Sequence, residues 1–62
     1  PAPGATIRAL DKVRDAGGVE GIVTMIVDTS NGPRALVSFD LPGGPVVLTR
    51  PVDTLVRVGG VA

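Results

Sequence analysis

The segment from Gly18 to Asp28 is the longest nearly continuous apolar stretch of the chain, and it constrains the fold more than any other part. Glycines punctuate its start, β-branched residues fill it, no proline interrupts it, and an acidic turn former ends it. This composition fits the pleated surface of a strand better than a helix. We therefore predict a strand from Ile22 to Val27 and an all-β fold.

The predicted strand is apolar on both of its faces. Strict alternation places one set of side chains on one face and the second set on the other: Ile22, Thr24 and Ile26, against Val23, Met25 and Val27. A surface strand of a small antiparallel domain normally alternates apolar and polar residues, so two apolar faces indicate burial on both sides. A 62-residue chain has room for one core only. We expect a partner surface to cover the second face.

Turn-forming clusters divide the rest of the chain into short segments of strand character. The turn at 28–33 contains Asn31-Gly32, which is predicted to supply the positive φ angles of a hairpin. The alternation of 34–39 places Ala35, Val37 and Phe39 on one face, with Phe39 in the core. The glycines of 16–21 are predicted to allow positive φ angles or the close approach of another strand. The predicted strands are 11–14, 22–27, 34–39, 46–49 and 55–58, with a first helical turn over 6–10 as an open alternative.

The chain lacks the side chains that most often carry catalysis or bind metals. It contains no cysteine and no histidine, so it has neither disulfides nor the usual zinc ligands. Ser30 and Ser38 have no histidine to activate them, and the carboxylates fall in loops or at strand ends. The sequence therefore predicts a protein that is not an enzyme and has no cofactor.

Charge and hydropathy exclude two further classes of partner. Six basic and six acidic residues are scattered singly and give a formal net charge of zero. Nucleic-acid binders normally present a clustered basic surface, so this pattern disfavours nucleic acid as a partner. No apolar run approaches the ~20 residues that span a bilayer, so we expect a soluble chain with no membrane partner.

Four segments together resemble an SH3-like small β-barrel with the glycine pattern of KOW-type domains. They are Asp11-Lys12-Val13-Arg14, Gly18-x-x-Gly21-x-Val23-x-x-Ile26, Leu36-Val37-Ser38-Phe39-Asp40 and Pro51-Val52-Asp53-Thr54-Leu55-Val56-Arg57-Val58. The resemblance implies a five-stranded barrel over 11–58, with a one-turn helix before the last strand. It leaves 1–10 as an extended tail or first strand and 59–62 as a flexible carboxyl terminus.

The known uses of this fold can be tested on the residues present. SH3 domains that bind proline-rich peptides use a groove of aromatic side chains, whereas this chain has one aromatic residue, Phe39. KOW-type domains bind RNA with basic residues near the glycine loop, where this chain has Asp15 and Glu20. Type II dihydrofolate reductase lines its pore with Val-Gln-Ile-Tyr, whereas the comparable segment here is 46–49, Val-Val-Leu-Thr.

The sequence thus predicts a non-enzymatic small-barrel interaction module that acts by self-assembly or as a small structural subunit of a larger complex. A hydrophobic fraction of 44% on so short a chain leaves apolar surface to be covered, so a homo-oligomer is expected. The predicted interface residues are Val19, Ile22, Met25, Leu41, Val47 and Val56. The residue usage is typical of a GC-rich bacterial or phage genome, which suggests the cytoplasm or a phage particle.

Two alternatives stay open at this point. The first is an RNA- or ribosome-associated KOW-like module, whose contact residues would be Lys12, Arg14, Arg34, Arg50 and Arg57. The second is an enzyme with a pore or interfacial site that forms only in an oligomer.

Overall fold

The computed structural model describes residues 7–59, and these form one sheet of five antiparallel strands. The strands are β1 (Lys12–Arg14), β2 (Glu20–Thr29), β3 (Gly32–Leu41), β4 (Gly44–Pro51) and β5 (Val56–Gly59). A single 3₁₀ turn, Val52–Thr54, lies between β4 and β5. The prediction of an all-β fold with five strands and a one-turn helix before the last strand is confirmed.

The strand order is β4-β3-β2-β1-β5, so β4 and β5 are the two edges of the sheet. Each strand pairs with its sequence neighbour, except that β5 crosses over to pair with β1. The hydrogen-bonded ladder does not close within the described residues, so the expected barrel is an open sheet here. Both edges are poor at pairing further, because β5 has four residues and β4 contains Pro45 and Pro51, which have no N–H to donate.

The core lies against one face of the sheet, which we call the inner face. Phe39 is its largest fully buried side chain. The alternation predicted for β3 is confirmed, because Ala35, Val37 and Phe39 all point into this core. The remaining core residues come from β1, β2, the 3₁₀ turn and the residue that follows this turn: Val13, Val23, Val52 and Leu55. Ile7 and Ile26 pack against the cluster from its margin.

A β-bulge in β2 breaks the alternation predicted for 22–27. Val23 pairs with Val37 and Met25 pairs with Leu36, so Thr24 is an extra residue with no partner in β3. The Thr24 hydroxyl instead donates a hydrogen bond to the Leu36 carbonyl at 3.0 Å. The predicted division of faces is therefore wrong after Val23: Ile26 points inward, whereas Met25 and Val27 lie on the same face as Ile22.

Both hairpins use the same turn design. Two residues connect the paired ends, which are Thr29 with Gly32 and Leu41 with Gly44. In each hairpin the glycine that follows the two-residue turn has the positive φ, 104° at Gly32 and 117° at Gly44. The prediction that Asn31 and Gly32 both have positive φ angles is wrong at Asn31: of the two residues, only Gly32 has one, because glycine adopts this conformation without a steric penalty.

The segment before β1 is attached to β2 by its backbone. The Leu10 amide donates to the Val23 carbonyl at 2.7 Å, and the Val23 amide donates to the Asp11 carbonyl at 2.9 Å. Leu10 has a φ of 73°, which is unusual for a residue other than glycine. Residues 7–10 contain a turn and no helix. Most of the predicted tail, 1–6, and the terminal residues 60–62 lie outside the described residues.

Between Ile7 and Gly59 no helix has the length and apolar character required to cross a membrane.

Candidate functional site

The face of the sheet opposite the core presents three cross-strand rows of side chains on β2, β3 and β4. The register gives these rows as Ile22–Ser38–Val47, Met25–Leu36–Thr49 and Val27–Arg34–Pro51. We call this surface the outer face. The bulge at Thr24 is what brings the first two rows into neighbouring positions, because it returns Met25 to the side of the sheet on which Ile22 lies.

The outer face carries an exposed apolar cluster. Met25 and Val47 are 55% and 53% exposed, and Ile22 and Val27 are also exposed. Leu36 lies between them and is half-buried. The polar side chains in the first two rows are uncharged hydroxyls, Ser38 and Thr49. Charged side chains border the cluster at two places, Lys12 beside Ile22 and Arg34 beside Val27. Large apolar residues that adjoin each other on a surface, with charges at the margin, are typical of a surface that another protein covers.

A second apolar surface lies on the inner side, between β4 and the loop that joins β1 to β2. It is a groove of about 200 Å³ lined by Asp15, Val19, Phe39, Leu41, Leu48 and Arg50. Asp15 organises the loop, because its Oδ1 accepts hydrogen bonds from the Gly17 and Val19 amides, both at 2.9 Å. The Arg50 guanidinium lies 5.6 Å from the centroid of the Phe39 ring, and its Nε lies 3.7 Å from Asp15 Oδ2.

The six predicted interface residues fall in three separate places. Ile22, Met25 and Val47 share the outer face, where Met25 and Ile22 occupy neighbouring rows. Val19 and Leu41 line the groove on the other side of the sheet. Val56 is half-buried on β5, paired with Arg14 in β1.

Sequence reasoning missed two members of the outer face, Val27 and Leu36. Leu36 alternates with the core residues of β3, so its outward position follows from the same pattern that identified Phe39. The position of Val27 depends on the bulge, for which the sequence offers no clear signal.

Four of the five residues named for nucleic-acid binding form ion pairs with carboxylates. Arg14 and Lys12 both contact Glu20, at 2.7 Å and 3.3 Å. Arg50 pairs with Asp15, and Arg57 lies 3.2 Å from Asp11. Arg34, the fifth, has a Thr49 hydroxyl 3.5 Å from its Nη2. Lys12 and Arg14 share one carboxylate, and Arg50 and Arg57 each contact another, whereas the cations of a phosphate-binding surface are free to replace counterions.

Asp11 is the one buried charged residue described, with an exposure of 4%. Its Oδ2 accepts a hydrogen bond from the Arg8 amide at 2.9 Å and is also the atom that Arg57 approaches. A buried carboxylate with both a hydrogen bond and an ion pair ties the segment before β1 to β5. Its contacts therefore give it a structural role.

The pKa of Glu20 lies below its ordinary value of 4.5, first because of the hydrogen bond from Arg14 and then because of Lys12. A carboxylate whose pKa is lowered by folding stabilises the fold above its unfolded pKa. That contribution is lost as the pH falls through the folded pKa. We expect the Glu20 carboxyl carbon, followed by NMR, to titrate below pH 4.5 in the folded protein.

Two variants check the cause of this shift. Arg14→Ala should return the Glu20 midpoint toward its ordinary value, whereas Arg34→Ala, which removes a guanidinium that does not contact Glu20, should leave it in place. A wild-type midpoint at or above 4.5 would contradict the ion-pair geometry.

The described residues contain no group of acidic side chains placed to hold a metal ion. Comparison of the chain with protein-family models, with curated proteins and with solved structures gives no match.

Proposed function

We propose that this protein is a non-enzymatic interaction module that acts by protein assembly, with copies of itself as its first partner, and that the outer face is its contact surface. The same surface would serve if the chain is a small structural subunit of a larger complex. The five strands and the 3₁₀ turn before β5 support placing the module among SH3-like domains.

The observation that carries this proposal is the exposure of four large apolar side chains on one face: Ile22, Met25, Val27 and Val47. Burying apolar surface contributes ~25 cal/mol per Å², so covering these side chains lowers the free energy of association. The core itself cannot take them, because the bulge at Thr24 and the register of β3 fix them on the side away from Phe39.

The charges support protein assembly over RNA binding. An RNA-binding surface gains affinity from free cations that replace counterions on phosphates. Here Lys12, Arg14, Arg50 and Arg57 already contact carboxylates. Lys12 borders the outer face at the β1 end of its first row, whereas Arg50 lines the groove on the other side of the sheet. The outer face offers no stacking aromatic side chain either, because the single aromatic residue, Phe39, is in the core.

The solution mass of a face variant tests the proposal. Sedimentation equilibrium of the wild-type chain should give a mass above that of one chain at high micromolar concentration. Met25→Asp should weaken that association at least tenfold, because a carboxylate buried in an apolar contact loses its hydration without gaining a partner.

The matched control is Leu41→Asp, which introduces the same charge at an exposed apolar residue of the groove and should leave the mass unchanged. Far-ultraviolet circular dichroism verifies that both variants remain folded. A wild-type chain that is monomeric up to millimolar concentration, or a Met25→Asp variant that associates like wild type, would contradict the proposal.

A further inference from the structure

We propose, resting on the self-assembly proposed above, that two copies pack outer face against outer face around a two-fold axis, with their β3 strands antiparallel. In this arrangement Arg34 of each copy pairs with Asp40 of the partner subunit.

The starting point is the sequence of outward-facing residues along β3. Alternation places Arg34, Leu36, Ser38 and Asp40 on the outer face, because Ala35, Val37 and Phe39 point into the core. The strand therefore has a positive charge at one end of this face, a negative charge at the other, and uncharged residues between them. Six residues of antiparallel strand separate the two charges by ~20 Å.

These two charged residues are also left without an ion pair. Among residues 7–59 the ion pairs use Asp11, Lys12, Arg14, Asp15, Glu20, Arg50 and Arg57, and neither Arg34 nor Asp40 takes part in one. Arg34 is half-buried by its neighbours, whereas Asp40 is exposed beside Pro45 of β4. Both are thus free to pair across an interface.

The arrangement of charges selects one of the two ways in which identical faces can meet. An axis parallel to β3 would place Arg34 opposite its own copy and Asp40 opposite its own copy, which is repulsive at both ends. A two-fold axis that lies between the two sheets and is perpendicular to β3 makes the β3 strand of the partner subunit run in the opposite direction. It places Arg34 opposite Asp40 at both ends, and it stacks the Ile22 row on the Met25 row of the partner subunit.

Pairing through the β4 edge is a poorer alternative. A proline fits an antiparallel ladder where its nitrogen points away from the neighbouring strand. Pro45 and Pro51 are an even number of residues apart, so the nitrogens of 45, 47, 49 and 51 point to the free edge of β4. Two of those four positions have no N–H, so β4 would supply only half of the donors that its side of an added ladder needs.

The proposed interface is small, so its affinity is expected to be weak and the experiment needs high protein concentrations. Three strands about 4.8 Å apart form a contact surface narrower than that of a standard interface, which buries ~800 Å² per partner. We therefore expect reversible association in the micromolar range, measured by sedimentation equilibrium from about 10 μM to 1 mM at low salt.

A charge-swap series tests the antiparallel arrangement. Arg34→Asp puts two carboxylates opposite each other at both ends of the interface, and Asp40→Arg puts two guanidinium groups there. Each single variant should weaken dimerisation at least tenfold, and added salt should reduce the defect. The double variant, Arg34→Asp with Asp40→Arg, restores opposite charges and should dimerise within about threefold of wild type.

The matched control changes the same charge away from the outer face. Arg8→Asp alters an exposed charge outside the three rows and should leave dimerisation unchanged. A wild-type dimer that ignores both single swaps, or that the double variant fails to rescue, would overturn this arrangement and leave self-assembly standing. A wild-type chain that stays monomeric would instead overturn the proposed self-assembly itself.

Discussion

Replacing Phe39 by alanine is expected to unfold the protein at 25 °C. The Phe39 side chain is 2% exposed and is the largest in a core that otherwise consists of valine, alanine and leucine. Removing such a side chain typically costs 3–5 kcal/mol, since both its burial and its packing contacts are lost. A single core on a chain of this size rarely supplies more than ~3–5 kcal/mol of stability, so the loss removes nearly all of it.

Phe39→Leu is the matched variant, because it retains most of the buried volume and should cost only ~1.5 kcal/mol. The measurement is the dispersion of amide signals in a ¹H–¹⁵N NMR spectrum, with urea unfolding for the variants that remain folded. We expect the amide chemical shifts of Phe39→Ala to fall in the narrow range of an unfolded chain, and those of Phe39→Leu to remain dispersed. A dispersed, wild-type-like spectrum for Phe39→Ala would mean that the core does not depend on this ring.

Gly21→Ala should have the second large effect. A methyl group on Gly21 would lie 2.7 Å from Val37 Cγ1, 2.8 Å from the Ser38 carbonyl oxygen and 2.9 Å from Phe39 Cδ1. The two side chains could move only by disturbing the core, and the carbonyl is fixed in the backbone of β3. Overpacking of this kind costs typically 1–3 kcal/mol, and more where the backbone has to shift.

The control for this substitution is Gly43→Ala in the second hairpin. A methyl group there meets nothing within 4 Å, and Gly43 does not have a positive φ, so the change should be neutral or stabilise by up to ~1 kcal/mol. Urea unfolding of both variants gives the comparison. Equal stabilities for Gly21→Ala and Gly43→Ala would show that β2 and β3 do not approach as closely as described.

The number and approximate positions of the strands were predictable from the sequence because the turns between them depend on local chemistry, although the predicted bounds of β2, β3 and β4 each fall two residues short at both ends. Glycine and proline clusters mark each turn, and the alternation of Ala35, Val37 and Phe39 identifies the buried side of β3 from residue types alone. The glycine loop was also interpreted correctly, since Gly18 has a positive φ and Gly21 allows close approach of β3. In each case the residue type restricts the conformation directly.

The division of faces in β2 was not predictable in the same way. A bulge depends on how two strands align, and Thr24 is a residue that any regular strand accommodates. The sequence indicated that both faces of this strand are apolar, which holds, but it assigned Met25 and Ile26 to the wrong sides. Closure of the sheet likewise depends on the two edge strands meeting, which no local pattern specifies.

Only part of the candidate site was predictable, because residue types identify apolar side chains but not the side of the sheet on which they lie. Ile22, Met25 and Val47 were named as exposed apolar residues, and all three lie on the outer face. Val19 and Leu41 were grouped with them because composition does not distinguish the two sides of a sheet, whereas the structure places them in the groove. The pairing of Arg57 with Asp11 joins residues 46 positions apart and has no sequence signal.

Concentration-dependent NMR of the methyl groups tests whether the outer face is covered by protein when the chain acts. On dilution from about 1 mM to 10 μM, we expect the methyl signals of Ile22, Met25, Leu36 and Val47 to shift together, while those of the groove residues Val19 and Leu48 stay in place. Shifts confined to the groove, or no shifts in any methyl group, would contradict it.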